Sequence, residues 1–232
     1  MARSLVSECI GTALLLMAVV GSGIMGDRLS GGNVAVALLA NSVATGAALV
    51  VLILTFGPIS GAHLNPVVSF ADASQGGLSW TTAAGYAAAQ TLGAVIGVAA
   101  ANVMFDEPVF SWSQHARTGW SQAFSEFVAT FGLLAVIWSC ARRRSAVVPF
   151  AVGAYITAAY WFTSSTSFAN PAVTVARTLT DTFTGIRLVD VLPFLAAQVV
   201  GAAAATALWR WLVPQLPETA EAVVVRHHSG VS

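Results

Sequence analysis

Asn65-Pro66-Val67 and Asn170-Pro171-Ala172 sit between long apolar segments, one in each half of a 232-residue chain. Asn is a good helix N-cap, and Pro is best tolerated at the first helical position. Each tripeptide therefore reads as the start of a short helix. Small residues precede both: Gly57-Pro58-Ile59-Ser60-Gly61-Ala62 before the first, Thr163-Ser164-Ser165-Thr166-Ser167 before the second. The segments 57–79 and 163–188 are too polar to span a bilayer and too apolar for ordinary loops. Their helical parts, about 66–74 and 171–181, come to roughly 15 Å at about 1.5 Å per residue. That is half of a hydrocarbon core of about 30 Å. They fit as two half-spans that enter from opposite sides and meet tip to tip.

Composition sets the membrane frame. The chain is 56% hydrophobic and 9% charged, where a soluble domain carries about 25% charge. Six apolar segments, about 4–26, 34–57, 80–104, 121–141, 147–165 and 189–213, approach the roughly 20 residues a span needs. Glu8 within the first, and a mirror of that segment later in the chain, argue against a cleaved leader. The net charge of zero leaves no basic face for nucleic acid. Cys9 and Cys140 lie in apolar stretches and imply neither a disulfide nor a metal site. Most of the seven Trp fall near span ends and read as interface anchors.

The halves repeat. Ser7-Glu8 recurs as Ser125-Glu126, Asn65-Pro66 as Asn170-Pro171, and Ala88-Ala89-Gln90 with Gly93 as Ala196-Ala197-Gln198 with Gly201. Three spans per half invert the second repeat relative to the first, a layout common in transport proteins. The expected architecture is an all-α membrane protein: six transmembrane helices plus two re-entrant half-helices in two inverted repeats. The first repeat is 1–115, the second 116–214, and 215–232 a cytoplasmic tail. With the N-terminus inside, Arg3, Arg142, Arg143, Arg144, Arg210 and Arg226 face the cytoplasm, and Arg28, Arg117 and Arg187 face out. This distribution predicts a multi-pass protein of the cell (inner) membrane, embedded in lipid, with both termini cytoplasmic.

Non-helical backbone at membrane depth is tolerated only where it is buried or lines a wet cavity. The carbonyls of 60–64 and 165–169 would line such a cavity. The Asn65 and Asn170 amides would supply donors at its centre, where each helix N-terminus adds about half a positive charge. A neutral hydrogen-bonding solute passes such a point and a cation is repelled. Glu8 and Glu126 are costly in lipid and must face protein or water. Receiving backbone donors from the re-entrant loops is the simplest role; a proton relay is the other. His63 reads as a fixed hydrogen-bonding group beside the pore, with a pH switch as its alternative.

Ser60-Gly61-Ala62-His63-Leu64-Asn65-Pro66-Val67 and Phe168-Ala169-Asn170-Pro171-Ala172 resemble the paired signatures of the aquaporin and glycerol-facilitator family, with Val67 where the family usually has Ala. The resemblance covers about residues 4–213. It implies a passive channel, a pore centre formed by Asn65, Pro66, Val67, Asn170, Pro171 and Ala172, and a homotetramer. The small residues Ala83, Ala84, Gly85, Gly201 and Ala202 are compatible with close helix packing. By ungapped counting from the signatures, the resemblance puts the outer filter at Thr45, Ala158, Ser167 and Val173. The family pattern has Arg at the Val173 position. Arg177 lies one helical turn further on, with Asp181 at i+4 as an expected ion-pair partner. Placed nearer the outer mouth, Arg177 is not expected to replace the missing charge.

Four small or medium side chains imply a wide filter. Small neutral solutes follow as permeants: water and larger species such as glycerol, urea or undissociated arsenite and antimonite. The missing aromatic wedge counts somewhat against glycerol, and the resemblance to bacterial metalloid channels with a non-Arg filter favours arsenite or antimonite. A secondary transporter on the same inverted repeats and a water-selective aquaporin are the alternatives. No catalytic group, cofactor or metal is expected.

Overall fold

The computed structural model describes residues 1–141 and 145–212. Eight α-helices follow in order: α1 Ala2–Leu29, α2 Val34–Ser60, α3 Pro66–Ser74, α4 Trp80–Met104, α5 Trp120–Ala141, α6 Val148–Phe162, α7 Pro171–Ala176 and α8 Leu188–Leu212. Among the described residues there is no strand. α1, α2, α4, α5 and α8 are long and apolar enough to cross a membrane, and α6 is a shorter apolar helix. The Arg142–Arg144 cluster and the tail from 215 lie outside the described residues.

The half-helices start where the Asn-Pro pairs fall. Asn65 caps α3 through its side chain, which accepts from the Val67 N–H. Asn170 caps α7, accepting from Ala172 and Val173. α7 stops at Ala176 and tightens into a 3₁₀ turn, Arg177–Leu179, short of the expected residue 181. The physical reason is Thr180, which turns extended and donates to Asn102 Oδ1 at 2.8 Å. This pulls the chain off the helix axis.

The two repeats are built alike. α1 packs on α4 and α5 on α8, while α2 and α6 pair across the halves. The first two contacts close through glycines at matched positions. A Cβ on Gly93 would lie 2.1 Å from the Cys9 carbonyl oxygen, and one on Gly201 would lie 2.6 Å from that of Phe127. The repeated glycines thus let backbones touch inside one subunit. Ala83 and Ala202 are likewise buried within the chain, while Ala84 is exposed.

One apolar cluster gathers around Leu16, Leu64, Phe168 and Phe194, a second around Val67, Leu134, Trp138 and Ile156. Trp138 is therefore no interface anchor: it is buried and donates to Thr206 Oγ1 at 3.3 Å. The segment 105–119 folds back over α7. Ser111 and Ser113 N–H groups donate to the Leu179 and Thr178 carbonyls at 3.1 and 2.9 Å.

Gly93→Val should lower stability by at least about 3 kcal/mol, because the obstructing atom is backbone and one helix must move. Gly57→Val, with nothing within 4 Å of its Cβ, should stay within about 0.5 kcal/mol. Thermal unfolding in detergent measures both; equal melting temperatures would contradict the packing account.

Candidate functional site

Each re-entrant loop hangs from a buried carboxylate. Glu8 on α1 accepts from the His63 N–H at 3.0 Å, the Leu64 N–H at 2.7 Å and the Ser60 hydroxyl at 2.6 Å. Glu126 on α5 accepts from the Phe168 and Ala169 N–H groups, both at 2.8 Å. Glutamines at matched positions complete the pattern. Gln90 Nε2 donates to Glu8 at 2.7 Å and to Ser69 Oγ at 3.1 Å. Gln198 Nε2 donates to Glu126 at 2.6 Å and to Thr174 Oγ1 at 2.9 Å. Ser69 and Thr174 in turn donate to the Asn65 and Asn170 carbonyls. The two glutamines stood in the sequence repeat, yet only the structure reveals them as part of the site.

The loops themselves are strained in parallel. Ala62 and Leu64 in the first, Ser167 and Ala169 in the second, hold φ between 48° and 52°. This left-handed region is uncommon for non-glycine residues and persists only where surroundings enforce it. The carboxylate-bound N–H groups are that enforcement.

At the tips the two halves lock together. Asn65 Nδ2 donates to the Ala169 carbonyl at 2.7 Å, and Asn170 Nδ2 to the Leu64 carbonyl at 2.8 Å. Each side-chain oxygen caps its own half-helix. One amide N–H of each Asn is thus spent on the opposite loop. Val67, Pro66 and Ala172 are buried behind the tips, and Pro171 is half-buried.

Beside the tips runs a cavity of about 100 Å³, space for several waters at about 10–15 Å³ each on the same measure. The loop residues Gly61–Asn65 and Ser167–Asn170 line it, together with the apolar Leu15, Leu49, Ile53, Leu133, Val152 and Ile156. His63 Nδ1 lies 3.0 Å from Ser69 Oγ, and its ring meets Tyr86 edge-on.

The filter expected from counting divides. Thr45, Ser167 and Val173 border the cavity. Ala158 does not: it is exposed on the outer surface of α6. Val152, Ile156 and Tyr160 face the cavity. They recur every four residues, and a residue midway between two of them lies about 200° around the helix. Tyr160 takes the place assigned to Ala158, its hydroxyl 3.2 Å from Thr45 Oγ1. An aromatic ring absent from the sequence-based filter is therefore present.

Arg177 also departs from expectation. It is 2% exposed and borders the same cavity as Val173. Its guanidinium carbon lies 3.5 Å from the Phe168 ring centroid, and its Nε donates to the Thr184 carbonyl. Arg117 sits 4.8 Å from the centroid of that ring. It donates to the Gly185 and Ser165 carbonyls at 2.8 and 3.1 Å. Burial pushes the Arg117 pKa down to about 10, so it remains charged at neutral pH. Asp181 is not the partner of Arg177: it is exposed and accepts from the Gln114 N–H at 2.8 Å. Among the described residues no cluster of His, Cys, Asp or Glu could hold a metal.

The family described as Major intrinsic protein matches the chain over residues 1–167 and again over 145–232. Aquaglyceroporin AqpS of Rhizobium meliloti (strain 1021) is 53% identical over 211 residues, which cover 91% of this chain and 90% of that one. Probable aquaporin NIP7-1 of Arabidopsis thaliana is 32% identical over 212 residues, 86% of this chain and 73% of that one. The X-ray structure of the aquaglyceroporin from Plasmodium falciparum shares the fold: TM-score 0.73 at 22% identity, covering 93% of this chain and 98% of that one.

Glu126→Ala would leave two buried N–H groups and a glutamine donor without acceptors, at about 1–3 kcal/mol each. Asp27→Ala, at an exposed acid, should cost less than about 0.5 kcal/mol. Melting temperatures in detergent should separate the two variants widely; a Glu126→Ala protein as stable as Asp27→Ala would contradict the role given to the carboxylate.

Proposed function

The chain belongs to the major intrinsic protein family, a family of passive membrane channels, and on that premise we propose that its pore conducts water together with larger neutral solutes of the glycerol class. The observation that carries this reading is the composition of the cavity at its Val173 end. Thr45, Tyr160 and Ser167 offer hydroxyls there, Val173 a small apolar surface and Arg177 a cation. A polyol has an apolar carbon edge and a hydroxyl edge. The cavity lining combines apolar side chains with polar loop residues, so both edges find complementary surface. The aromatic ring of Tyr160 strengthens the case for glycerol. The relative in Rhizobium meliloti bears the name aquaglyceroporin, which supports the same substrate class.

Urea and undissociated arsenite or antimonite share the features that matter: no charge, several donors and acceptors, and small size. They belong to the same proposed set. The half-helix N-termini, each with about half a positive charge, disfavour cations at the centre, and the remaining Asn65 and Asn170 amide donors orient a passing oxygen. Glu8 and Glu126 are saturated by the loops. That argues against their serving as coupling-ion sites of a secondary transporter. The positive-inside rule supports cytoplasmic termini, and the family supports a homotetramer with one pore per subunit. On this reading the Arg117 side of the molecule faces outward.

Swelling of vesicles containing the purified protein should report permeation of water, glycerol, urea and arsenous acid. Val173→Arg should cut glycerol flux more than water flux, because added bulk obstructs the larger solute first. Equal loss of both, or a wild-type pore that passes only water, would overturn the glycerol-class reading.

A further inference from the structure

We propose that Arg177 is the specificity-determining cation of this pore, its charge delivered from one helical turn beyond the vacant position at Val173 to the solute path beside Phe168. The inference rests on the channel reading above and deepens it.

Side chains on a helix lean toward its N-terminus. A long one at the end of α7 therefore travels back toward the half-helix tip. Arg177 does so: its guanidinium reaches the ring of Phe168, two residues before Asn170, at 3.5 Å. The charge thus lies deeper in the membrane than the Arg177 backbone. It is also held there. The Thr184 carbonyl fixes Nε, the Phe168 face supports the guanidinium plane, and Arg117 backs the same ring at 4.8 Å. Phe168 is seated edge-on against Phe194, with centroids 5.2 Å apart.

What remains of the guanidinium is free to act on a solute. Among the described residues Arg177 forms no ion pair and makes no side-chain hydrogen bond beyond the one to Thr184. Arg177 borders the cavity together with Ser167, whose buried hydroxyl has no hydrogen-bond partner. Donors from Arg177 and a hydroxyl that donates or accepts at Ser167 form a subsite for a neutral solute bearing adjacent oxygens, a polyol or a hydroxide. The same charge, held in no ion pair among the described residues, opposes cations. At an effective dielectric of about 20, a unit charge about 5 Å from the path disfavours a monovalent cation by well over tenfold. Val173 keeps the filter wide, and Arg177 keeps it selective against cations.

Vesicles containing wild type, Arg177→Met and Arg177→Gln test this, with glycerol flux and sodium and proton leak measured on the same preparations. Wild type should pass glycerol and exclude both ions. Arg177→Met should pass glycerol more slowly than wild type, with ion leak raised at least about tenfold. Arg177→Gln retains a donor for the Thr184 carbonyl without the charge; it gives the same reading if the Met variant does not insert. Either variant passing glycerol with ion leak unchanged would overturn the inference and leave the channel reading standing. A wild-type protein that passes no glycerol would overturn the channel reading itself.

Discussion

Two carboxylates buried at membrane depth hold this structure in its working shape. Glu8 and Glu126 are each fully buried and accept backbone N–H groups from the loops that lead into the half-helices. A buried carboxylate without donors is prohibitive, and a strained loop without acceptors is too. Each offsets the cost of the other. The loops then hold Ala62, Leu64, Ser167 and Ala169 at positive φ, which breaks the side-to-side alternation of carbonyls seen in a strand. The tips meet through reciprocal Asn-to-carbonyl bonds, so neither half is complete alone.

The same arrangement explains why the acids need not carry protons or ions across the membrane. Their oxygens are committed to backbone and glutamine donors. On the proposed reading, charge control falls to the half-helix termini and to the Arg177 guanidinium packed on Phe168. Solute contact falls to hydroxyls and to an apolar wall.

Much of this was legible in the sequence, because the strongest signals are local. Asn-Pro fixes a helix start through capping and a preset φ. The repeated Glu pair reads directly as acceptors for the re-entrant loops, while the repeated Gln and Gly mark the network and the close helix contacts without disclosing their roles. What failed depended on direction in space. Ala158 was reached by counting along the chain, whereas the cavity is lined every fourth residue of α6, at Val152, Ile156 and Tyr160. Helical periodicity applied to α6 would have flagged Tyr160. Arg177 was placed by its backbone position, but its side chain runs back along the helix to Phe168. Trp138, one of seven Trp of which most read as interface anchors, faces Thr206 in the core. Arg117 is separated in sequence from everything it touches, so only the fold brings it to Ser165 and Gly185.

On the proposed reading, neutral solutes diffuse down their own gradient past two abutting half-helix tips. Initial glycerol flux into protein-containing vesicles, measured with and without an imposed sodium or proton gradient, tests it most directly. The rate should be proportional to the glycerol gradient and indifferent to either ion gradient. A rate that rises or reverses with an ion gradient would contradict it.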